Sequence, residues 1–156
     1  MRRKEKEITS LEEIEEIIKR SKVCRIGLVD GDEPYIVPVC FGYEGNALYF
    51  HSAPEGRKID LIRRNSRVCF EIDVDVEIVS GEKPCGWKAK YRSVMGTGRA
   101  IILEKVEDKV HGLSTIMKQY SSNVSGLEFE KLDAAAVVKV EIDRIAGKKS
   151  GYGRGG

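Results

Sequence analysis

The chain is poor in the residues that most enzymes use as nucleophile and base. It holds two histidines, His51 and His111, and no serine in a G-x-S-x-G elbow, so it offers little for a hydrolytic triad. Its four cysteines, at 24, 40, 69 and 85, stand far apart, with no C-x-x-C pair and no adjacent histidine to suggest a zinc site. Cys24, Cys40 and Cys69 fall inside apolar strand patterns and are expected to be small buried hydrophobes in a reduced compartment. No apolar run approaches a membrane span, and the opening MRRKEKEITS carries charge without the apolar segment of a secretory signal. A cytoplasmic location is therefore expected. The 27 Lys and Arg against 25 Asp and Glu leave a net charge of +2, too little for a chain-wide grip on nucleic acid. Any basic site must be local.

What is present is enough for one domain of 156 residues with a real core. In ITSLEEIEEIIKRS, Thr9 with Glu12 or Ser10 with Glu13 makes a capping box, and Leu11, Ile14, Ile17 and Ile18 share a helical face. VCRIGLV and PYIVPVCFGY flank the turn DGDE as a hairpin. Pro38 cannot donate to a ladder, which places the second strand at an edge or a break in pairing. After the turn YEGN, ALYFH is a short strand and RKIDLIRRN a helix ending at Asn65. From Val68 to Ile78 apolar and mostly acidic residues alternate, predicting one apolar and one wet face. Gly96 and Gly98 predict a bulge or bend in the long strand that follows. In the next helix Val106, Val110, Leu113, Met117 and Tyr120 are expected on the packed side, before a last strand AAVVKVEID and a flexible tail over 146–156. About six strands joined by hairpins, with three helices, predict an α+β, mainly β fold: a small, mostly antiparallel barrel.

GTGRAI, at 96–101, lacks a third glycine and lies inside a strand, so it is not a dinucleotide fingerprint. GKKS, at 147–150, imitates the end of a P-loop, but Ile142 stands where the earlier glycine must be. HSAPEGRKIDLI is more telling. Helix starts carry partial positive charge and favour acidic residues, yet this helix begins with Arg57 and Lys58. Ser52, both cations and the free N–H groups around Gly56–Lys58 can converge on a dianionic phosphate. The alternative is a solvated helix start paired with Glu55 or Asp60.

The run PYIVPVCFGYEGNALYFHSAPEGRKIDLIRRNSRVCFEID resembles the core of the pyridoxamine 5′-phosphate oxidase-like flavoproteins, and most resembles the branch related to the 5-nitroimidazole-resistance proteins. The likeness spans about residues 5–145, and FHSAPEGRK is its most specific part. It implies an FMN-binding split β-barrel, a homodimer with two flavin sites at the subunit interface. Carried over by position, Arg57 and Lys58 match the basic pair on the FMN phosphate, beside Ser52, Ala53 and Gly56. Ile36, Val37, Pro38 and Val39 match the strand whose backbone lies against the flavin ring, and His51 falls where side chains line the ring pocket. His51 is the one candidate for a catalytic side chain. Tyr91, Arg92 and Ser93 match a segment that meets the cofactor, often from the partner subunit, and Lys148, Arg92 or Arg144 can place positive charge near the ring. The substrate-reading C-terminal segment of enzymes that oxidise pyridoxamine phosphate is missing: this chain ends GKKSGYGRGG and has its only tryptophan at 87.

The resemblance thus implies an oxidoreductase that passes electrons from NADH or NADPH through FMN to a small acceptor such as a nitroaromatic. A non-catalytic flavin carrier or redox sensor is the alternative. A nucleic-acid-binding barrel has only KAKYR, at 88–92, in its favour. No metal and no membrane contact are expected.

Overall fold

The computed structural model describes residues 4–123 and 132–152. Along them run β1 (Glu7–Ile8), α1 (Leu11–Arg20), β2 (Cys24–Asp30), β3 (Glu33–Val39), β4 (Phe41–Glu44), β5 (Ala47–Ser52), α2 (Arg57–Arg64), β6 (Arg67–Val79), β7 (Lys88–Ile102), α3 (Val106–Tyr120) and β8 (Ala136–Ser150). The strand count is eight rather than six, because Glu7–Ile8 pairs with β8 and because Cys40 breaks PYIVPVCFGY into two strands. No described helix is long and apolar enough to cross a membrane.

All pairings are antiparallel, in the order β3-β2-β6-β7-β8-β5-β4. The two outermost strands, β3 and β4, are consecutive in the chain and separated only by Cys40. The sheet must therefore curl until its ends meet at that corner, yet no ladder joins them: this is a split barrel. Inside lie Ile26, Phe41, Leu48, Phe50, Phe70, Ile72, Val94, Val138 and Val140, all nearly inaccessible. α1 and α2 close opposite ends. Ser10 caps α1 by accepting a hydrogen bond from the Glu13 N–H, and Ile14, Ile17 and Ile18 enter the core while Leu11 stays exposed. α2 contributes Ile59, Leu61 and Ile62.

α3 packs on the outside of β4 and β5 with only part of the face its apolar spacing predicts: Leu113 packs against Ala47, Tyr49 and Ile116. Gly112, Thr115 and Ile116 are buried, whereas Val106, Met117 and Tyr120 are largely exposed. Small residues decide the contact. A Cβ on Gly112 would sit 2.7 Å from Val137 Cγ1, and one on Gly42 would collide with the Thr115 backbone. The helix rides so close to the strands that only its glycine-bearing face fits.

β6 also departs from simple alternation. Val68, Phe70 and Ile72 are buried as expected, but the register with β7 slips between Val74 and Glu77, with Asp75 at φ 56°. Two residues of β6 oppose one of β7, a bulge that reverses which way later side chains point. Val76 and Ile78 thus leave the core face and stand 60% and 61% exposed. A second slip, between Thr97 and Gly98 against β8, falls where Gly96 and Gly98 predict one. β8 continues to Ser150, paired with β7 and β1, so residues 146–150 are strand and not tail; residues 153–156 lie outside the described residues. Of the cysteines only Cys24 is buried, and Cys40 and Cys69 are exposed, because Cys40 sits at the corner between strands and Cys69 points outward.

Candidate functional site

α3 covers the outside of β4, β5 and the start of β8 at Val137, but among the described residues the outer face of β3, β2, β6, β7 and the later part of β8 carries no helix. Its residues line up across the ladders: Ile36, Gly27, Cys69, Thr97 and Arg144 form one row, and Arg25, Glu71, Met95 and Ala146 the next. Between them lies a cavity of about 920 Å³. Its lining is mainly apolar, with Ile36 66% and Met95 53% exposed. Gly27 leaves room for the Cys69 thiol, since a Cβ there would come within 2.5 Å of Sγ. Thr97 Oγ1 is buried in this surface and has no hydrogen-bond partner among the described residues. An orphaned hydroxyl beside an open apolar cavity is unusual and calls for a partner from outside the chain, a water or a bound molecule.

At one end of this face stands the start of α2. Gly56, at φ 120°, occupies the N-cap position and supplies no side chain to it, leaving first-turn N–H groups free. The two cations there behave differently. Arg57 is bound to Asp30, with Nη2 at 2.9 Å and Nε at 3.0 Å, lies 3.7 Å from Glu33, and stacks 4.5 Å above the Tyr35 ring. It pins α2 to the β2–β3 turn, and its partners are neither Glu55 nor Asp60. Lys58 has no carboxylate in salt-bridge range among the described residues; its Nζ lies 5.6 Å from the Phe50 ring centroid, and burial holds its ammonium below the ordinary lysine value. A half-buried cation at an uncapped helix start is an anion site by composition.

Tyr35, beneath Arg57, packs on the core side of β3, whereas the next residue, Ile36, faces the cavity, so the α2 start meets the barrel end and the cavity lies on the other face of that strand. Of the predicted strand, Ile36 and Pro38 face outward, whereas Val37 packs toward the core and Val39 is buried. The two-residue turn after Asp30 makes Asp30 and Glu33 a hydrogen-bonded pair, and alternation then turns the backbone nitrogens of 34, 36 and 38 to the free edge. Two of those are prolines. Ile36 keeps the one N–H among the three.

His51 is exposed and Ser52 half-buried at the end of β5, Ala53 is exposed beyond it, and none approaches the cavity lining. His111 pairs instead with Glu44 on the α3 side, at 3.1 Å. Tyr91, Arg92 and Ser93 lie at the other end of the bare face, about 23 Å along β6 at ~3.3 Å per residue, so one chain does not bring them to Lys58. Arg92 points to the inner side, bound to Asp75 at 2.6 Å, while Lys148 and Arg144 stand on the outer face, Lys148 with its Nζ 5.5 Å from the Tyr91 ring centroid. Sequence reasoning missed the outer-face row and the Lys58–Arg57 distinction. The first needs strand register; the second depends on Asp30, remote in sequence.

Residues 10–149 match the model of a family described as pyridoxamine 5′-phosphate oxidase. An uncharacterized protein of Rhizobium meliloti is 32% identical over 116 residues, 72% of this chain and 70% of that protein. Among solved structures, a protein of Bacteroides thetaiotaomicron proposed to act in 5-nitroimidazole antibiotic resistance is 33% identical, with a TM-score of 0.81 over 92% of this chain and 86% of that one. A FAD- and heme-binding protein of Mycobacterium smegmatis shares the fold at 16% identity, with a TM-score of 0.84 over 97% of this chain and 77% of that one.

Proposed function

The chain belongs to the pyridoxamine 5′-phosphate oxidase family, and from that premise we propose that it is an FMN-binding oxidoreductase working as a homodimer. The observation that carries the reading is Lys58: a cation desolvated enough to be destabilised, without a carboxylate partner among the described residues, at the uncapped start of α2. A terminal phosphate fits this place, since Lys58 and the free N–H groups supply donors and a compensating charge is wanted. The orphaned Thr97 hydroxyl and the apolar cavity suit a flat ring nearby. The residues present therefore fit the cofactor.

When bound, FMN supplies a ring that accepts a hydride from a reduced nicotinamide and returns two electrons to an acceptor. The chain's part is to hold and surround it. Lys58 fixes the phosphate, Arg57 holds α2 against the turn, the Ile36 N–H offers a donor at the ring's edge, and Arg144 and Lys148 set positive potential over the outer face. No side chain need act as nucleophile, and His51, which is not among the residues lining the cavity, is given no role.

What supports a second copy is the split of the matched residues. Lys58 and Tyr91–Ser93 lie on opposite sides of the cavity, so a two-fold axis through it brings the end of one protomer to the opposite end of the other. A nitroaromatic acceptor is the choice suggested by the Bacteroides relative.

The test is direct. The purified protein should carry flavin that mass spectrometry identifies as FMN; NADH or NADPH should bleach it under nitrogen, and a nitroimidazole should restore the colour while its nitro group is reduced. Flavin that neither nicotinamide bleaches would make the protein a carrier or sensor, and protein that binds no flavin would end the reading.

A further inference from the structure

We propose that Glu71 is the general acid of the reaction: in its protonated form it gives a proton to the acceptor held in the outer-face cavity, while Arg25 and Asp73 position it. This rests on the flavin reading of that cavity and adds a catalytic residue to it.

The acidic side of β6, evident from its alternation, is otherwise without a role. Asp75 and Glu77 lie at and beyond the bulge, where Arg20, Arg92 and Lys90 take them up. Asp73 is bound by Arg25. Among the described residues, Glu71 supplies the one carboxylate that lines the cavity, between Arg25 on β2 and Met95 on β7, one row along from Cys69 and Thr97. A half-buried acid in a mainly apolar lining calls for a reason.

Its surroundings favour the neutral form. One guanidinium nitrogen, Arg25 Nη1, serves two carboxylates, and it lies closer to Asp73 than to Glu71, which is 3.1 Å away. Burial, and then the Asp73 charge, raise the Glu71 pKa above the ordinary glutamate value, and the pull of Arg25 does not cancel them. Cys69 on β6 and Arg144 and Lys148 on β8 are the other titratable or charged groups on this part of the face, while β7 contributes Met95, Ser93 and Thr97 opposite the acidic row. Behind the strand Cys24 stays a thiol, its pKa pushed up to about 12 chiefly by burial and further by the Glu71 charge. A flat ligand over the cavity excludes water and moves Glu71 further in the same direction.

The chemistry needs such a group. Reduction of a nitro group to a nitroso group consumes one hydride and one proton: an N–O bond breaks, the electron pair arrives with the hydride, and the oxygen departs as water. The flavin reading accounts for the hydride and leaves the proton to be found. Of the side chains lining the cavity, the arginines do not give up protons and a thiol is a weaker acid than a carboxyl group, so Glu71 is the donor, recharged from solvent through the open side.

The test separates reoxidation that needs a proton from reoxidation that does not. Holoprotein is photoreduced under nitrogen and mixed with a nitroimidazole or with ferricyanide, which takes single electrons and no proton. Glu71→Gln should slow the return of colour with the nitroimidazole about 100-fold and with ferricyanide about twofold at most. In the wild type the nitroimidazole rate should fall as pH rises through the Glu71 pKa, because the protonated form is the donor. That limb should vanish in Glu71→Gln and return, displaced, in Glu71→Asp. Flavin-free protein gives a second readout: carbon-13 NMR of labelled glutamate carboxyls should place the Glu71 titration above that of exposed glutamates. Asp73→Asn removes a negative neighbour and frees Arg25, so it should bring that titration down and shift the rate limb to lower pH.

Equal slowing with both acceptors, a limb that survives in Glu71→Gln, or a Glu71 titration no higher than that of exposed glutamates overturns the role of Glu71 and leaves the flavin reading intact. Protein that binds no flavin overturns both. If Glu71→Gln does not fold, the wild-type limb and its shift in Asp73→Asn decide.

Discussion

The Arg92 guanidinium carbon lies 4.1 Å from the centroid of the Tyr152 ring, and both residues hold Asp75, Arg92 by the carboxylate and Tyr152 by the backbone carbonyl. The end of β8 is thereby tied to the bulge in β6. Burial works to raise the Asp75 pKa, but the hydrogen bonds from Arg20 and Arg92 outweigh it and hold the group below the ordinary carboxylate value. A depressed folded-state value stabilises above the unfolded value, near 3.9, and the contribution disappears as pH falls through the folded one. Acid should therefore loosen the bulge first, and Asp75→Asn should remove that pH dependence at a cost of about 1 kcal/mol or less. Amide hydrogen exchange at Asp75–Glu77, followed from pH 6 to pH 3, measures it.

The two cations of α2 should separate under mutation. Lys58→Ala removes a charge-assisted contact of about 1.5–3 kcal/mol, weakening FMN binding by roughly 10- to 100-fold without unfolding the chain. Arg57→Ala should lower thermal stability by loosening the turn at Asp30 and affect flavin less. Flavin titration and melting curves for the two variants give the comparison, and equal flavin loss would contradict the division of roles.

Gly42 lets the backbone of α3 touch β4. Because a methyl group there meets main-chain atoms of Thr115, no rotamer change relieves the clash. Gly42→Ala should cost about 1–3 kcal/mol by displacing α3. Chemical denaturation reads the loss, with Gly45→Ala at the neighbouring turn as a control for strain arising from positive φ alone, since a Cβ at Gly45 meets nothing within 4 Å.

Tyr120 is partly exposed, yet its hydroxyl accepts from the Phe41 N–H at 2.8 Å and donates to the Lys22 carbonyl at 2.8 Å. Burial, chiefly, pushes its pKa up to about 12. A raised value means the stabilising form is the protonated one: its contribution is full below pH 10 and is lost as pH rises toward 12. Tyr120→Phe should remove about 1 kcal/mol at neutral pH and flatten this alkaline limb, which melting curves between pH 8 and 11.5 will show.

Local chemistry was legible in the sequence and long-range register was not. The Ser10 cap, the helix from Arg57 to the stop at Asn65, and the edge position implied by Pro38 all depend on neighbours within a few residues, and all are seen. The outward turn of Val76 and Ile78 depends on one extra residue at Asp75, which alternation alone does not reveal. The face of α3 is set by Gly42 and Gly112, which add nothing to a count of apolar side chains. Likewise Arg57 and Lys58 look equivalent in sequence; Asp30, 27 positions away from Arg57, makes them different.

Pro34 and Pro38 have a wider consequence. An open barrel has a raw border at β3, and such borders recruit strands from other molecules, the first step toward fibrils and swapped chains. With two of the three outward donors abolished, that border cannot zip to a stranger.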